Sequence, residues 1–85
     1  MTEEQLQDIL NKAETDYSFE ACKIFAGLKI ITKYLPAEGI GAAEHDIVYS
    51  CDAGDILKAG LTEEDARQLG RLGWFVEEEA LAHFA

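Results

Sequence analysis

The first element that the apolar pattern predicts is a helix over residues 3–14. Its apolar stripe repeats at helical spacing and consists of Leu6, Ile9, Leu10 and Ala13. Thr2 precedes this stripe, and Gln5 stands three residues later, so that the two side chains can cap the helix reciprocally. Asp16-Tyr17-Ser18 then indicates a break in the helix and a new cap.

The second predicted element is a helix from Phe19 to Leu35, which ends there because the residue before a proline avoids helical geometry. This segment is apolar on nearly its whole circumference, which is typical of a central helix packed on two sides. One face is expected to carry Ala21, Ile24, Phe25, Leu28, Ile31 and Leu35. We expect Leu28 and Ile31 to be almost wholly buried and Gly27 to pack closely against another backbone.

In the third part of the chain, apolar residues repeat with the two-residue period of a strand. Residues 37–44 are predicted to form a loop, and His45 to Cys51 to form a strand. Alternation divides the strand into two faces, with Ile47, Tyr49 and Cys51 on one and Val48 and Ser50 on the other. The segment Asp52-Ala53-Gly54-Asp55 then turns the chain, and residues 55–59 are expected to make one helical turn.

A capped helix and a second strand complete the pattern. Thr62, with Asp65 three residues later, predicts a helix start, and Gly73 predicts its left-handed end. Trp74-Phe75-Val76 has the composition of a strand. We expect one of the two aromatic side chains to pack into the core and the other to cover it, and the alternative is an exposed aromatic anchor ringed by Glu77, Glu78 and Glu79. Residues 80–85 are compatible either with a helix or with the returning strand of a hairpin whose turn is Glu77–Glu79. The predicted class is therefore α+β, in one domain over residues 1–85: two N-terminal helices, the second central, and a β-α-β-β unit with a small antiparallel sheet.

The charge is strongly and unevenly acidic. Seventeen acids and seven bases give a net charge of −10. Residues 1–36 hold six acids and four bases, whereas residues 37–85 hold eleven acids and three bases. This balance disfavours direct binding of nucleic acid or of an anionic membrane surface, and it favours a basic protein surface as the partner. The simpler interpretation is that the charge only keeps a small protein soluble.

The run LTEEDARQLGRLGWFVEEEALAHF, preceded by AAEHDIVYS, resembles short acidic proteins of bacteria and their phages. Those proteins carry an acidic-capped helix, then Leu-Gly-Trp, then an acidic turn and an aromatic residue near the C-terminus. The matching positions are His45, Asp46, Leu61, Glu64, Asp65, Leu69, Leu72, Gly73, Trp74 and Phe84. The resemblance covers the C-terminal half of the chain. It implies a strand in residues 80–85, which favours the hairpin, and a phage or bacterial setting, but no catalytic residue.

Candidate reaction chemistry is sparse. Cys22, His45, Cys51 and His83 lack the tightly spaced pairs that zinc sites use. Asp52 and Asp55, with Asp46 nearby, supply too few ligands for a calcium loop. Neither serine lies in a nucleophile turn. We therefore expect no metal, cofactor or enzymatic activity, and, with no export signal or membrane span in the pattern, two reduced thiols in a cytoplasm.

Two hypotheses for the function follow from these patterns. In the first, an acidic face occupies a basic surface of a host protein, as an inhibitor of a defence or regulatory factor or a mimic of DNA. Its candidate residues are Asp46, Asp52, Asp55, Glu63, Glu64, Trp74, Glu77, Glu78 and Glu79. In the second, the chain is an accessory domain, such as a homodimer, whose acidity serves solubility. A continuous acidic strip favours the first, and an exposed apolar patch around Leu6, Ile30 or Tyr34 favours the second.

Overall fold

The computed structural model of the chain describes residues 1–13, 23–44 and 46–84. These residues form helices and a sheet, which confirms the predicted α+β class. The helices are α1 (Glu3–Lys12), α2 (Lys23–Tyr34), α3 (Ala53–Lys58) and α4 (Glu63–Arg71). The strands are β1 (Ala42–Glu44), β2 (Ile47–Asp52), β3 (Phe75–Glu77) and β4 (Ala80–Phe84). The strands pair antiparallel in the order β1-β2-β4-β3. The predicted break at Asp16-Tyr17-Ser18 and the predicted helix start over residues 19–22 lie outside the described residues.

Local caps set the start of α1 and both ends of α4 where the sequence predicts them, whereas α1 ends at Lys12 and α3 spans Ala53–Lys58. The Thr2 hydroxyl accepts a hydrogen bond from the Gln5 N–H at 3.1 Å, and the Thr2 N–H donates to the Gln5 side chain at 2.8 Å. The Thr62 hydroxyl accepts from the Asp65 N–H at 3.2 Å. Gly73 follows α4 with a φ of 90°, a left-handed conformation that glycine adopts without steric cost. Each cap joins residues that are close in sequence, and each was predicted correctly.

The strand β1 lies in the segment predicted to be a loop. It pairs with β2 so that Ala43 lies opposite Val48. Its sequence, Ala-Ala-Glu, has little intrinsic preference for a strand. The prediction of a loop is therefore wrong for residues 42–44, because the pairing with β2 decides their conformation.

The strand β2 departs from simple alternation. Its register with β4 shifts between Tyr49 and Asp52, which is the effect of a bulge. Val48 and Cys51 are consequently both buried, although strict alternation places them on opposite faces. The predicted grouping of Cys51 with Ile47 and Tyr49 is therefore wrong.

The hairpin of β3 and β4 confirms the preferred reading of the last segment. Phe75 lies opposite Ala82, and Glu77 lies opposite Ala80, which leaves Glu78 and Glu79 as a two-residue turn. Glu77 therefore belongs to β3 and not to the turn in which it was predicted. The alternative of a helix in this segment is wrong for residues 80–84. The strand β4 lies between β2 and β3, so the hairpin joins the sheet by its inner strand.

The core forms around Trp74, whose side chain is 1% exposed. Its indole lies against Gly27 of α2, where a methyl group would overlap the ring. The indole N–H donates a hydrogen bond to the Lys23 carbonyl at 3.3 Å. The close neighbour of Gly27 is thus a side chain, not the backbone that the sequence led us to expect. The largest fully buried side chains are Trp74, Leu6, Ile31, Ile56, Leu69 and Leu81.

The helix α2 has one open edge. Ile31 is fully buried, as predicted, but Leu28 is only partly buried. Phe25, Lys29 and Lys33 follow one another at about one turn and are exposed, with Phe25 58% exposed. The predicted near-complete burial of Leu28 and the place of Phe25 on the packed face are therefore wrong. The core side of the helix instead follows Gly27 and Ile31.

Asp65 joins the start of α4 to the end of α2. Its carboxylate accepts a hydrogen bond from the Tyr34 hydroxyl and lies 2.6 Å from the Lys33 ammonium nitrogen. The hydrogen bond from Lys33, followed by that from Tyr34, lowers the pKa of Asp65 below its ordinary value. The same contact with Asp65 raises the pKa of Lys33. Asp65 therefore connects two helices through its carboxylate, while its N–H donates to the Thr62 hydroxyl in the cap of α4.

The first prediction concerns the contact between Gly27 and Trp74. Gly27→Ala is expected to lower the free energy of unfolding by about 1–3 kcal/mol, because the added methyl overlaps the indole. The higher helix propensity of alanine alone would raise the free energy of unfolding by about 1 kcal/mol. Gly39→Ala is the matched control, since a Cβ at Gly39 meets nothing within 4 Å. Chemical denaturation measures both variants, and a Gly27→Ala variant more stable than wild type would contradict the packing.

The second prediction concerns pH and Asp65. Because the pKa of Asp65 is lowered in the folded state, its contribution to stability is complete above the unfolded pKa of about 3.9. That contribution is lost as pH falls through the lower folded pKa. Asp65→Asn should therefore be less stable than wild type at pH 7, with the difference shrinking towards pH 2. Urea denaturation across this range provides the measurement. Asp8→Asn, in an exposed pair with Lys12, serves as the control and should show little effect at either pH.

Candidate protein-binding surface

The strand register defines one face of the sheet. Residues directly opposite each other in paired antiparallel strands project from the same face. Tyr49 and Phe75 both lie opposite Ala82, one on each side, and Ile47 lies opposite Phe84. We call these five residues, Ile47, Tyr49, Phe75, Ala82 and Phe84, the outer sheet face.

The other face of the sheet packs on the core. It carries Val48, which lies opposite His83, and Val76, which lies opposite Leu81. Leu81 is fully buried within the core cluster. His83 lies edge-on to Trp74, with the ring centroids 5.4 Å apart. The outer sheet face consequently points away from the core.

The outer sheet face is apolar and partly open. Phe84 is 64% exposed, and its ring packs on that of Phe75 with the centroids 4.9 Å apart. Ile47, Tyr49 and Phe75 are partly buried. Ala82, which lies between Tyr49 and Phe75, is fully buried. An exposed aromatic ring on an apolar sheet face is a feature of interaction surfaces more than of ordinary solvent-facing strands.

Acidic side chains continue this face at one end. Asp52 and Glu77 both lie opposite Ala80, one on each side of it. Two strand spacings separate them, so their backbones are about 10 Å apart. The register thus brings together two acids that stand 25 positions apart in the sequence.

The turn between β3 and β4 adds two carboxylates at the same end. Glu78 and Glu79 have φ values of 49° and 66°, so both central residues of the two-residue hairpin are left-handed. Asn-Gly and Asp-Gly are the usual sequences for this geometry. The Glu79 carbonyl accepts a hydrogen bond from the Ala53 N–H at 2.8 Å. This bond joins the turn to the first residue of α3.

The start of α3 places Asp52 and Asp55 beside the turn. Asp52 caps the helix by accepting a hydrogen bond from the Gly54 N–H at 3.0 Å, and Asp55 lies in the first turn, where the helix dipole favours an anion. Burial raises the pKa of the Cys51 thiol to about 12. The carboxylates of Glu38, Asp55 and Asp52 raise this pKa further. The Ser50 hydroxyl donates a hydrogen bond to the Gly39 carbonyl at 2.7 Å, which places the segment of Glu38 beside β2. The thiol is therefore protonated at neutral pH and poorly suited to act as a nucleophile.

We call the acids at this end of the sheet the carboxylate end: Glu38, Asp52, Asp55, Glu77, Glu78 and Glu79. All six are exposed. The salt bridges of the described residues use other acids, namely Asp8, Glu63 and Asp65. Two carboxylates 10 Å apart in water repel by only about 0.4 kcal/mol, and salt reduces this further. The fold can tolerate such a cluster, but its summed field at low salt is strongly negative.

The predicted acidic surface is only partly assembled. Asp52, Asp55 and Glu77–Glu79 meet at the carboxylate end. Asp46 immediately precedes the first residue of β2, whereas Asp52 is the last, so six residue steps of extended chain, roughly 20 Å, separate them. Asp46 therefore belongs to the opposite end of the sheet and does not extend the carboxylate end.

Glu63 and Glu64 lie on a surface of mixed charge. Glu63 forms a salt bridge of 3.2 Å with Arg67, one turn further along α4. Glu64 lines a groove together with Arg67 and Arg71. The acids in the first turn of this helix thus lie near arginines further along it, in contrast to the carboxylate end.

Trp74 is a core residue and not an exposed anchor. Its indole fills the space over Gly27, so its predicted place on a partner surface is wrong. Phe84, which the sequence reasoning did not select, is the exposed aromatic residue on the sheet. The alternation of Ala80, Ala82 and Phe84 along β4 was the signal that could have found it. Glu38 lies in a connecting segment and carries no comparable local signal.

Other described features supply little reaction chemistry. A groove of about 400 Å³ lies between α1 and α4, and its lining residues are Asp8, Ile9, Lys12, Ala13, Arg67 and Arg71. Among the residues that the structure describes, this lining contains no serine, cysteine or histidine. Within residues 1–13, 23–44 and 46–84, no three His, Cys, Asp or Glu side chains are arranged to hold a metal ion. Cys22 and His45, from the four possible zinc ligands considered above, lie outside these ranges.

Comparison of the chain with protein-family models, with curated proteins and with solved structures finds no match. Among the helices that the structure describes, none combines the length and the apolar character needed to cross a membrane. The carboxylate end and the outer sheet face are the surfaces whose chemistry bears on function.

The third prediction concerns the left-handed turn. Replacing Glu78 with Asn and Glu79 with Gly should raise the free energy of unfolding by about 1–2 kcal/mol, because these residues adopt positive φ at lower cost. The control is Glu78→Gln with Glu79→Gln, which removes the same charges but keeps the unfavourable backbone preference. Thermal and urea denaturation distinguish the two effects. An equal gain in both variants would show that charge repulsion, not backbone conformation, limits the stability of the turn.

Proposed function

We propose that the protein is a non-enzymatic binding module that uses the carboxylate end to occupy a basic surface of another protein. The observation that carries this proposal is that acids from β2, α3, the β3–β4 turn and the segment before β1 lie together at one end of the sheet. None of these acids forms a salt bridge with a described residue. Elsewhere on the described surface, acids such as Glu63 and Asp65 have cations beside them. Negative charge is thus clustered at this end of the sheet, whereas α1 and α4 also carry acids that are paired with lysine or arginine.

The chemistry of the turn supports a role beyond solubility. Two adjacent glutamates in left-handed conformations repel each other and lack the conformational preference of Asn-Gly. The net charge would still be −7 if Glu77, Glu78 and Glu79 were neutral, so solubility does not require them. Residues that neither folding nor solubility favours are best explained by a partner that binds them.

The physical role of such a cluster is to guide association. Exposed charges of one sign raise the association rate with a partner of opposite sign and repel partners of the same sign. The carboxylate end therefore selects a basic patch and disfavours nucleic acid or anionic lipid. A basic patch of that kind commonly binds nucleic acid, and a module that covers it inhibits by competition. The resemblance in the C-terminal half extends this proposal to a protein encoded by a phage or mobile element and acting in a bacterial cytoplasm. In that setting we propose that the module inhibits a defence or regulatory factor.

A second candidate function is that of a self-associating accessory domain. The expected apolar patch around Leu6, Ile30 or Tyr34 does not favour it, because Leu6 is buried and the other two are partly buried. The observation that favours it is the exposure of Phe84 on the outer sheet face. Two copies, each with a net charge of −10, repel each other at low salt, so this candidate requires a larger apolar contact than the first.

The fourth prediction tests the carboxylate end. The tagged chain is used to capture a partner from a bacterial lysate at low salt, the partner is identified by mass spectrometry, and its association rate is measured across ionic strength. Glu77→Gln, Glu78→Gln and Glu79→Gln together should leave the circular dichroism spectrum unchanged. They should slow association at low salt by about tenfold and flatten its salt dependence, because rim charges act on the association rate.

The matched control is the triple variant Glu3→Gln, Glu4→Gln and Glu64→Gln. It changes the net charge by the same amount, from −10 to −7, at exposed positions outside the carboxylate end. Its association rate should stay close to that of wild type. The proposal fails if the Glu77–Glu79 variant associates as fast as wild type, or if the control slows association equally.

A further inference from the structure

The outer sheet face and the carboxylate end form one continuous surface. On β4, Phe84, Ala82 and Ala80 project from the same face, and Ala80 lies between Asp52 and Glu77. Four residue steps of a strand separate Phe84 from this acidic row, which is about 13 Å. An exposed aromatic ring and a pair of carboxylates are thus held at a fixed separation on a rigid sheet.

We infer that the partner presents an extended basic segment whose apolar side chain packs on Phe84 and Phe75 while a cation about four residues away binds the row of Asp52 and Glu77. This inference rests on the proposed function and adds the apolar half of the surface and the spacing. A strand-like segment places side chains that are four residues apart on one side, about 13 Å from each other. That distance matches the separation on β4. The alternating side chains of the partner segment then face the alternating side chains of the sheet beneath it.

Charge complementarity decides between a partner segment and a second copy of the chain. A second copy brings another carboxylate end and another net charge of −10. A basic segment neutralises acids that have no salt bridge within the described residues. The exposed ring of Phe84 also offers a π face to a lysine or arginine, in addition to apolar contact. The combination of aromatic and acidic groups therefore fits a cationic segment better than an apolar or acidic one.

The experiment uses three synthetic ten-residue peptides of equal charge as probes. The first has phenylalanine four residues from an arginine in an otherwise Lys-Ser background, the second replaces that phenylalanine with serine, and the third moves it next to the arginine. Fluorescence anisotropy with the full chain gives Kd at low and at physiological salt. The first peptide should bind about tenfold more tightly than the second or the third, since truncating an aromatic anchor commonly has an effect of this size.

Phe84→Ser is expected to remove the preference for the first peptide while leaving the weaker, salt-dependent binding of the second. Phe25→Ser is the matched control, because Phe25 is similarly exposed, at 58%, but lies on α2. It should retain the preference. Circular dichroism and thermal denaturation verify that both variants are folded, and Phe84→Tyr, which keeps the ring, should also retain the preference.

The outcomes separate this inference from the proposed function. If the peptides bind equally well, or if Phe84→Ser keeps the preference, the outer sheet face takes no part and the inference is overturned, while binding through charge alone survives. If no basic peptide binds at low salt, both ideas fail together. If sedimentation instead shows a dimer that Phe84→Ser dissociates, the face pairs with a second copy, and the inference is overturned in favour of self-association.

Discussion

The contact between Gly27 and Trp74 is the constraint on which the rest of the structure depends. The bare backbone of Gly27 lets the indole lie directly against α2, and the indole N–H reaches the Lys23 carbonyl. Trp74 immediately precedes β3, so this contact attaches α2 to the hairpin. The hairpin in turn completes the sheet through β4. The large side chain of Trp74 and the lack of a side chain at Gly27 therefore position the helix, the hairpin and the sheet.

The predictable features of this fold are those determined by neighbours in the sequence. The caps at Thr2 and Thr62 were predictable because donor and acceptor are three residues apart. The partner of Gly27 was not, because Trp74 is distant in the chain and either aromatic residue of the Trp-Phe pair could have faced inward. The strand β1 was missed for a related reason, since Ala-Ala-Glu becomes a strand only through pairing with β2.

The candidate surface shows the same division. The sequence identified the acids of residues 52–55 and 77–79. They lie together only because β2 and β3 both pair with β4 in a register that places Asp52 and Glu77 opposite Ala80. The same register separates Asp46 from them by the length of β2. Exposure was harder to predict than charge: Trp74 and Phe84 differ little in apolar character, yet one is buried and the other is open. Only the packing of the whole domain distinguishes them.

The burial of Trp74 also has a spectroscopic consequence. It is the single tryptophan of the chain, and its indole is enclosed by α2 and by the ring of His83. Its fluorescence therefore originates from one defined place, the junction between the N-terminal helices and the C-terminal hairpin. Loss of that junction transfers the indole to water and shifts its emission to longer wavelength. Intrinsic emission thus reports directly on whether the two halves of the domain are joined, without any introduced label.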